Sequence, residues 1–349
     1  ADALIDPWLG AWADHARDPA RFIGLFLVPM GAGFLALFHP VAKVTPALWL
    51  ALCLVCLTPA FSAASIYATT DRNPARVNPL AMPELPEVET TRRGLAQAMQ
   101  GQTIARVDLR RGDLRYPFTP GFQQLILGRR VERVDRRAKY LILSLSGNVC
   151  LVAHLGMSGS FRVERDGGSS RQASLYRETT RYGAHDHVAI LMSDGTSIVY
   201  NDPRRFGFMF VAPGDELAAH PRMRGIGLEP LEPPVTAAVL VKALSGSTAP
   251  LKAVLLDQTR IAGLGNIYVC EALHRSGLSP FRSAASIVAP DAASRTRAAR
   301  LSKAIRQVLV EAIDAGGSTL RDFSGADGKP GYFQHSFRVY DREGAGCPR

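Results

Sequence analysis

The chain has 349 residues, 47% apolar and 21% charged, enough for two or three ordinary domains with a sizeable core, which excludes wholesale disorder. Its formal net charge is +10. Basic and acidic residues balance up to Ala81, so all the excess positive charge lies beyond it, favouring a polyanionic partner, nucleic acid or an anionic membrane surface, over an acidic protein. Five scattered cysteines, Cys53, Cys56, Cys150, Cys270 and Cys347, speak against a disulfide framework and for a reducing, cytoplasmic compartment.

Residues 1–82 read as an apolar extension and linker. Phe22 to Ala42 and Val44 to Thr70 carry no Asp, Glu, Lys or Arg, so membrane tethering through residues 22–70 is one reading. Against it, Pro29, Gly31, Gly33, Pro46 and Pro59 interrupt the runs, and the continuous apolar pieces fall short of the roughly 20 residues a span needs. The acidic opening, with Asp2, Asp6 and Asp14, is not the positive n-region of a secretory signal. Cys53 and Cys56 form a CxxC with no second pair nearby, which favours buried apolar side chains over metal ligands. Asp71 to Pro79 has the proline spacing of a linker. Because the first residue is Ala, the expectation is that upstream sequence is missing or the reading frame was extended.

From Met82 the pattern becomes regular. In PELPEVETTRRGL, Pro86 suits a helix N1 position, Glu87 and Glu89 suit the first turn, and Val88, Leu95 and Met99 share a face. Strands are expected at RVDLR from Arg106, YLILSLS from Tyr140, VCLVAHL from Val149, HVAILM from His187 and TSIVYN from Thr196. These predict a mainly antiparallel β-domain, with a surface loop rich in Gly, Ser and Arg between Arg165 and His185. From Val235 the period turns helical: AAVLVKAL, LKAVLLDQ, GNIYVCEALHRSG and SRTRAARLSKAIRQVLVEAID.

Seven motifs stand in order: PELPEVE, RRAKYL (Arg136 to Leu141), HLGMSGS (His154 to Ser160), HDHV (His185 to Val188), DPRRFG (Asp202 to Gly207), GLGNIY (Gly263 to Tyr268) and DGKPGYF (Asp327 to Phe333). In this order and spacing the chain from Pro83 onward resembles bacterial formamidopyrimidine-DNA glycosylase. The resemblance implies an α+β fold: a catalytic β-sandwich domain over 83–215, a helical helix-two-turn-helix domain over 216–320, and a lesion-capping loop with the start of a zinc finger over 321–349. It implies a monomer that excises oxidised purines (8-oxoguanine and formamidopyrimidines) opposite cytosine in double-stranded DNA, then cleaves the strand as an AP lyase.

The resemblance assigns the nucleophile to Pro83 and acid–base work to Glu84. An α-amine titrates near 8 rather than near the 10.4 of lysine, so a useful fraction is free at neutral pH, and a secondary amine leaves a charged iminium. In this chain Pro83 follows Met82, so its nitrogen is a tertiary amide; translation from Met82 with methionine removal would free it. Glu87 would support the site by hydrogen bonding, or simply compensate a helix N-terminus. Lys139, taken alone a solvated lysine, would contact phosphate and lesion. Met157, Arg204 and Phe206 match a void-filling trio for the space left by an everted base. His185 and Arg205 match phosphate contacts; the HxH of His185 and His187 lacks a third ligand, so a metal there is rejected.

In the helical part, Gly263 and Gly265 allow tight backbone near phosphate. Lys252 and Asn266 become its DNA-facing residues, Glu271 lies near the active site, and Lys329 and Tyr332 belong to the lesion-capping element. Cys347 would be the lone remaining ligand of a four-cysteine zinc site, so none is expected to bind this chain. Two rival readings are an endonuclease VIII-like enzyme acting on oxidised pyrimidines and a non-catalytic lesion-DNA binder.

Overall fold

The segment that opens with Pro83 becomes helix α1, Leu85–Met99, in the computed structural model of the chain, which describes residues 82–165, 183–318 and 331–348. The chain divides into two units, Ala1–Pro79 and Leu80–Arg349, and every described residue belongs to the second. The apolar extension with its CxxC, most of the loop between Arg165 and His185, and Lys329 lie outside the described residues. No described helix is long and apolar enough to cross a membrane.

Among the described residues eight strands follow α1: β1 (Ile104–Leu109), β2 (Val131–Arg137), β3 (Tyr140–Leu145), β4 (Val149–His154), β5 (Ser160–Glu164), β6 (Asp186–Met192), β7 (Ser197–Asn201) and β8 (Phe208–Pro213), with a short helix α2 (Phe122–Ile126) after β1. They form two four-stranded sheets, ordered β1-β6-β7-β5 and β2-β3-β4-β8, and every pairing is antiparallel. The period of two explains the sandwich. Leu141, Leu143 and Leu145 on β3 share one core with Val188, Ile190 and Met192 on β6, while Val152, Phe208 and Phe210 face a second, smaller cluster with Met223.

Strands β2, β5 and β8 were not among those expected. In VERVDRR only Val131 and Val134 are buried, and the register with β3 shifts between Val131 and Arg133, so the alternation that marks a half-buried strand is broken. Strand β5 buries only Phe161, and β8 is a continuous buried run, FMFVA.

The helical part comprises α3 (Ala237–Leu244), α4 (Leu251–Leu256), α5 (Asn266–Ser276), α6 (Ala285–Val288) and α7 (Ala292–Asp314). Helix α7 starts because the Asp291 side chain accepts the Ser294 N–H at 2.8 Å, and it buries Ala298, Leu301, Ile305, Val308 and Ala312 at spacings of three and four. Helix α5 stops at Gly277, which takes a φ of 70°.

Helix α1 joins the two cores. Its first residue, Leu85, is fully buried in the helical core, whereas Val88, Leu95 and Met99 belong to the sandwich core. Each such side chain contributes about 1.5–3 kcal/mol by leaving water, so the start of α1 is held from both sides. Pro83 and Glu84 are therefore buried where the two cores meet.

Candidate active site

Glu84 is the N-cap of α1, but its carboxylate turns to a different helix. Its Oε1 accepts the Ile267 N–H at 2.9 Å and its Oε2 the Tyr268 N–H at 3.5 Å, both in the first turn of α5, where free amides and the helix dipole favour an anion. Burial nevertheless dominates, and with the charge of Glu87 it outweighs Lys139 and the two amides: the Glu84 carboxyl is pushed up to about 7. The approach depends on Gly265, where a Cβ would lie 2.3 Å from Glu84 Cδ.

Glu87 closes the other side. Its Oε2 accepts the Glu84 N–H at 2.9 Å; its Oε1 accepts the Tyr268 hydroxyl at 2.5 Å and the Ser318 N–H at 2.7 Å. Burial raises its carboxyl despite these donors. Burial and the neighbouring carboxylates push the Tyr268 hydroxyl well above its ordinary value, so it stays a neutral donor.

Lys139 is buried, and burial lowers its ammonium while the charges of Glu84 and Glu87 oppose that shift. It sits at a hairpin whose preceding residue, Ala138, takes a left-handed φ of 54°. Glu229, from the segment leading to α3, holds that hairpin: its carboxylate accepts from Arg136 at 2.7 Å, Arg137 at 3.1 Å and the Ala138 N–H at 2.8 Å. His154, at the end of β4, is pushed down to about 3 by burial and by the charges of Lys139 and Arg115. Its neutral ring accepts the Gly156 N–H at 3.0 Å through Nδ1.

The trio from two separate motifs converges. Gly156 takes a φ of +63°, and a Cβ there would lie 2.3 Å from Gly207 N and from Phe206 C, so the loop bearing Met157 packs backbone to backbone on the turn bearing Arg204 and Phe206. Met157 is half-buried, Phe206 is 42% exposed, and the Arg204 guanidinium lies 5.1 Å from the Phe206 ring centre. Asp202 organises both loops: fully buried, it accepts from Ser158 Oγ at 2.6 Å, Tyr200 OH at 3.2 Å and Gly207 N at 2.8 Å. Arg205 and His185 are exposed on the same turn region, joined through Asp202, whose N–H reaches the His185 carbonyl at 3.0 Å. His187 is buried, with Nε2 2.9 Å from the Asp202 carbonyl.

Around the start of α5, Asn266 Oδ1 accepts from the Cys270 thiol at 3.6 Å, and Lys252 acts on the same thiol, opposing the rise that burial causes. Lys252 and Asn266 therefore share one neighbourhood. Tyr332 is 62% exposed, and its N–H reaches the Ala315 carbonyl at 3.0 Å.

The Glu271 carboxylate on α5 accepts the N–H groups of Arg338, Val339 and Tyr340 at 2.9–3.1 Å, which anchors residues 338–340 to that helix. Cys347 is exposed and free, and among the described residues no group of three His, Cys, Asp or Glu could hold a metal. The described cysteines, Cys150, Cys270 and Cys347, do not make up a four-cysteine zinc site.

Residues 82–209 match the model of the formamidopyrimidine-DNA glycosylase N-terminal domain, and residues 226–324 that of the formamidopyrimidine-DNA glycosylase H2TH domain. The chain belongs to the formamidopyrimidine-DNA glycosylase family. It is 55% identical over 268 residues to the formamidopyrimidine-DNA glycosylase of Beijerinckia indica, covering 77% of this chain and 91% of that protein. To that of Chelativorans sp. it is 52% identical over 270 residues, covering 76% and 91%. The fold is similar to the crystal structure of the glycosylase of Thermus thermophilus, with a TM-score of 0.64, 41% identity and coverage of 76% and 90%. It also resembles the Lactococcus lactis glycosylase in complex with abasic-site DNA, with a TM-score of 0.64, 30% identity and coverage of 76% and 91%.

Sequence reasoning left Glu229, Asp202, His154, Tyr268 and Ser318 without roles, although each touches a motif residue. Asp202, His154 and Tyr268 stand inside the motifs themselves. Glu229 and Ser318 carried no local signal, because their partners lie 91 and 231 residues away.

Proposed function

We propose that this family member is a bifunctional DNA glycosylase and AP lyase acting as a monomer in the cytoplasm, which removes oxidised purines, 8-oxoguanine and formamidopyrimidines, from duplex DNA opposite cytosine. The observation that carries the reading is the start of α1: a buried carboxyl, Glu84, pushed up to about 7, directly follows Pro83, in a chain whose family match begins at Met82.

With the Met82–Pro83 bond absent, the Pro83 amine attacks C1′ of the damaged nucleotide. The N–C1′ bond forms as the glycosidic bond breaks, and the base leaves with a proton. Glu84, half-protonated near neutrality, gives its proton to the ring oxygen as the sugar opens to the iminium and then receives one as C2′ is deprotonated. The 3′-phosphate leaves in the first elimination and the 5′-phosphate in the second. Lys139 supplies a point charge beside these groups. Met157, Arg204 and Phe206 fill the space of the everted base, while His185, Arg205, Lys252, Asn266, Lys329 and Tyr332 contact DNA.

The test is borohydride trapping on an 8-oxoguanine:cytosine duplex, with the full chain compared with one started at Met82 and with Pro83→Gly in the shorter form. Trapping of the Met82-started chain alone is the expected result, and trapping of neither form would overturn the lyase reading. A preference for oxidised-pyrimidine duplexes would favour the endonuclease VIII-like alternative. The peptide bond on Pro83 supports a second reading of the chain that carries residues 1–82, a binder of lesion DNA without chemistry, which duplex binding without a trapped adduct would identify.

A further inference from the structure

Beside the Lys139 hairpin two guanidinium groups gather on one ring. The Arg222 Cζ lies 3.7 Å from the Tyr116 ring centre and 5.1 Å from that of Phe208, and the Arg115 Cζ lies 5.5 Å from the Tyr116 centre. Aromatic faces stabilise each cation by about 0.5–2 kcal/mol, but two like charges on one ring repel. No carboxylate relieves them among the described residues: Asp113, the acid closest in sequence to Arg115, is held by Arg111 at 2.7 Å, and neither Arg115 nor Arg222 forms a salt bridge with any described residue. Arg115 is exposed and Arg222 half-buried.

The pair is joined to the site on two sides. The Arg115 N–H reaches the Gly207 carbonyl at 3.0 Å, which fixes it to the turn presenting Arg204 and Phe206. On the other side, both guanidinium groups act on Tyr140, the residue after Lys139, and Arg115 acts with Lys139 on His154. Tyr140 and His154 pack on each other at 4.9 Å, and His154 stacks on Phe208 at 5.1 Å. Arg115 and Arg222 thus lie on an aromatic cluster whose Tyr140 follows Lys139 in the chain and whose His154 feels the Lys139 charge.

We infer that Arg115 and Arg222 form a phosphodiester-binding patch, continuous with Lys139, that grips the DNA backbone next to the reacting nucleotide. The inference rests on the DNA-repair reading above. A phosphate supplies the missing counter-anion, and planar guanidinium groups already stacked on a ring lose little side-chain freedom on pairing with its oxygens.

The experiment measures binding of an undamaged duplex by the full chain over a salt series, for wild type, Arg115→Gln, Arg222→Gln, the double variant and the corresponding Arg→Lys pair. Each contact to phosphate contributes about 0.9 to the slope of log K against log salt. Each Gln variant should therefore flatten the slope by about 0.9 and the double variant by about 1.8, while the Lys variants keep it. A double variant that melts like wild type and keeps the full slope overturns the patch alone. Wild-type protein that binds no duplex overturns the DNA-repair reading and the patch with it. If Arg222→Gln unfolds, the exposed Arg115 still decides, because its replacement removes no buried contact.

Discussion

Glu84 and Ile267 meet across 183 residues of sequence, with Glu84 Oε1 taking the Ile267 N–H at 2.9 Å. That bond caps helix α5 with a carboxyl belonging to helix α1. One group thus serves both cores, and its ionisation is linked to how they hold together.

The linkage has a definite sign. The Glu84 carboxyl is raised from an ordinary value of 4.5 to about 7 in the fold, so between these values the folded state binds more protons than the unfolded one, and stability falls as pH rises through that window. Glu84→Gln keeps an acceptor for Ile267 but no charge. It should stabilise the protein by about 1–3 kcal/mol at pH 8 and by nearly nothing at pH 4, which urea melts at the two pH values would show.

Gly265→Ala tests the close approach. With a Cβ only 2.3 Å from Glu84 Cδ, the carboxylate must move off the α5 amides. A destabilisation of about 1–3 kcal/mol is expected, and borohydride trapping by the Met82-started form should fall at least tenfold. A variant with wild-type melting and trapping would show that the contact is dispensable.

Asp202→Ala leaves Ser158, Tyr200 and Gly207 donors buried without their acceptor. We expect a loss of about 3 kcal/mol in chemical denaturation, together with weaker duplex binding as the Arg204–Phe206 turn loosens. Asp202→Asn retains one acceptor oxygen and should lose less.

Glu271→Ala removes the acceptor of three consecutive amides. Hydrogen exchange at residues 338–340 should accelerate by more than a hundredfold, while amides of β3 and β4 keep their wild-type protection. Uniform acceleration across the sandwich would instead indicate global unfolding.

The sequence alone determined what depends on near neighbours. The PELPEVE helix start, the apolar β-branched runs of β1, β3, β4, β6 and β7 and the helical periods of α5 and α7 are local patterns, and the seven motifs in register implied both the family and an α+β fold. It did not mark β2, because a strand with two buried valines and five charged residues owes its place to pairing with β3 rather than to its own pattern. Nor could it give Glu271 its anchoring role or show that Glu229 holds the Lys139 hairpin. A carboxylate looks alike in sequence whether water or distant amides surround it. Only the tertiary structure brings donors from far along the chain to a buried carboxyl, and desolvation then sets both its partner and its proton affinity.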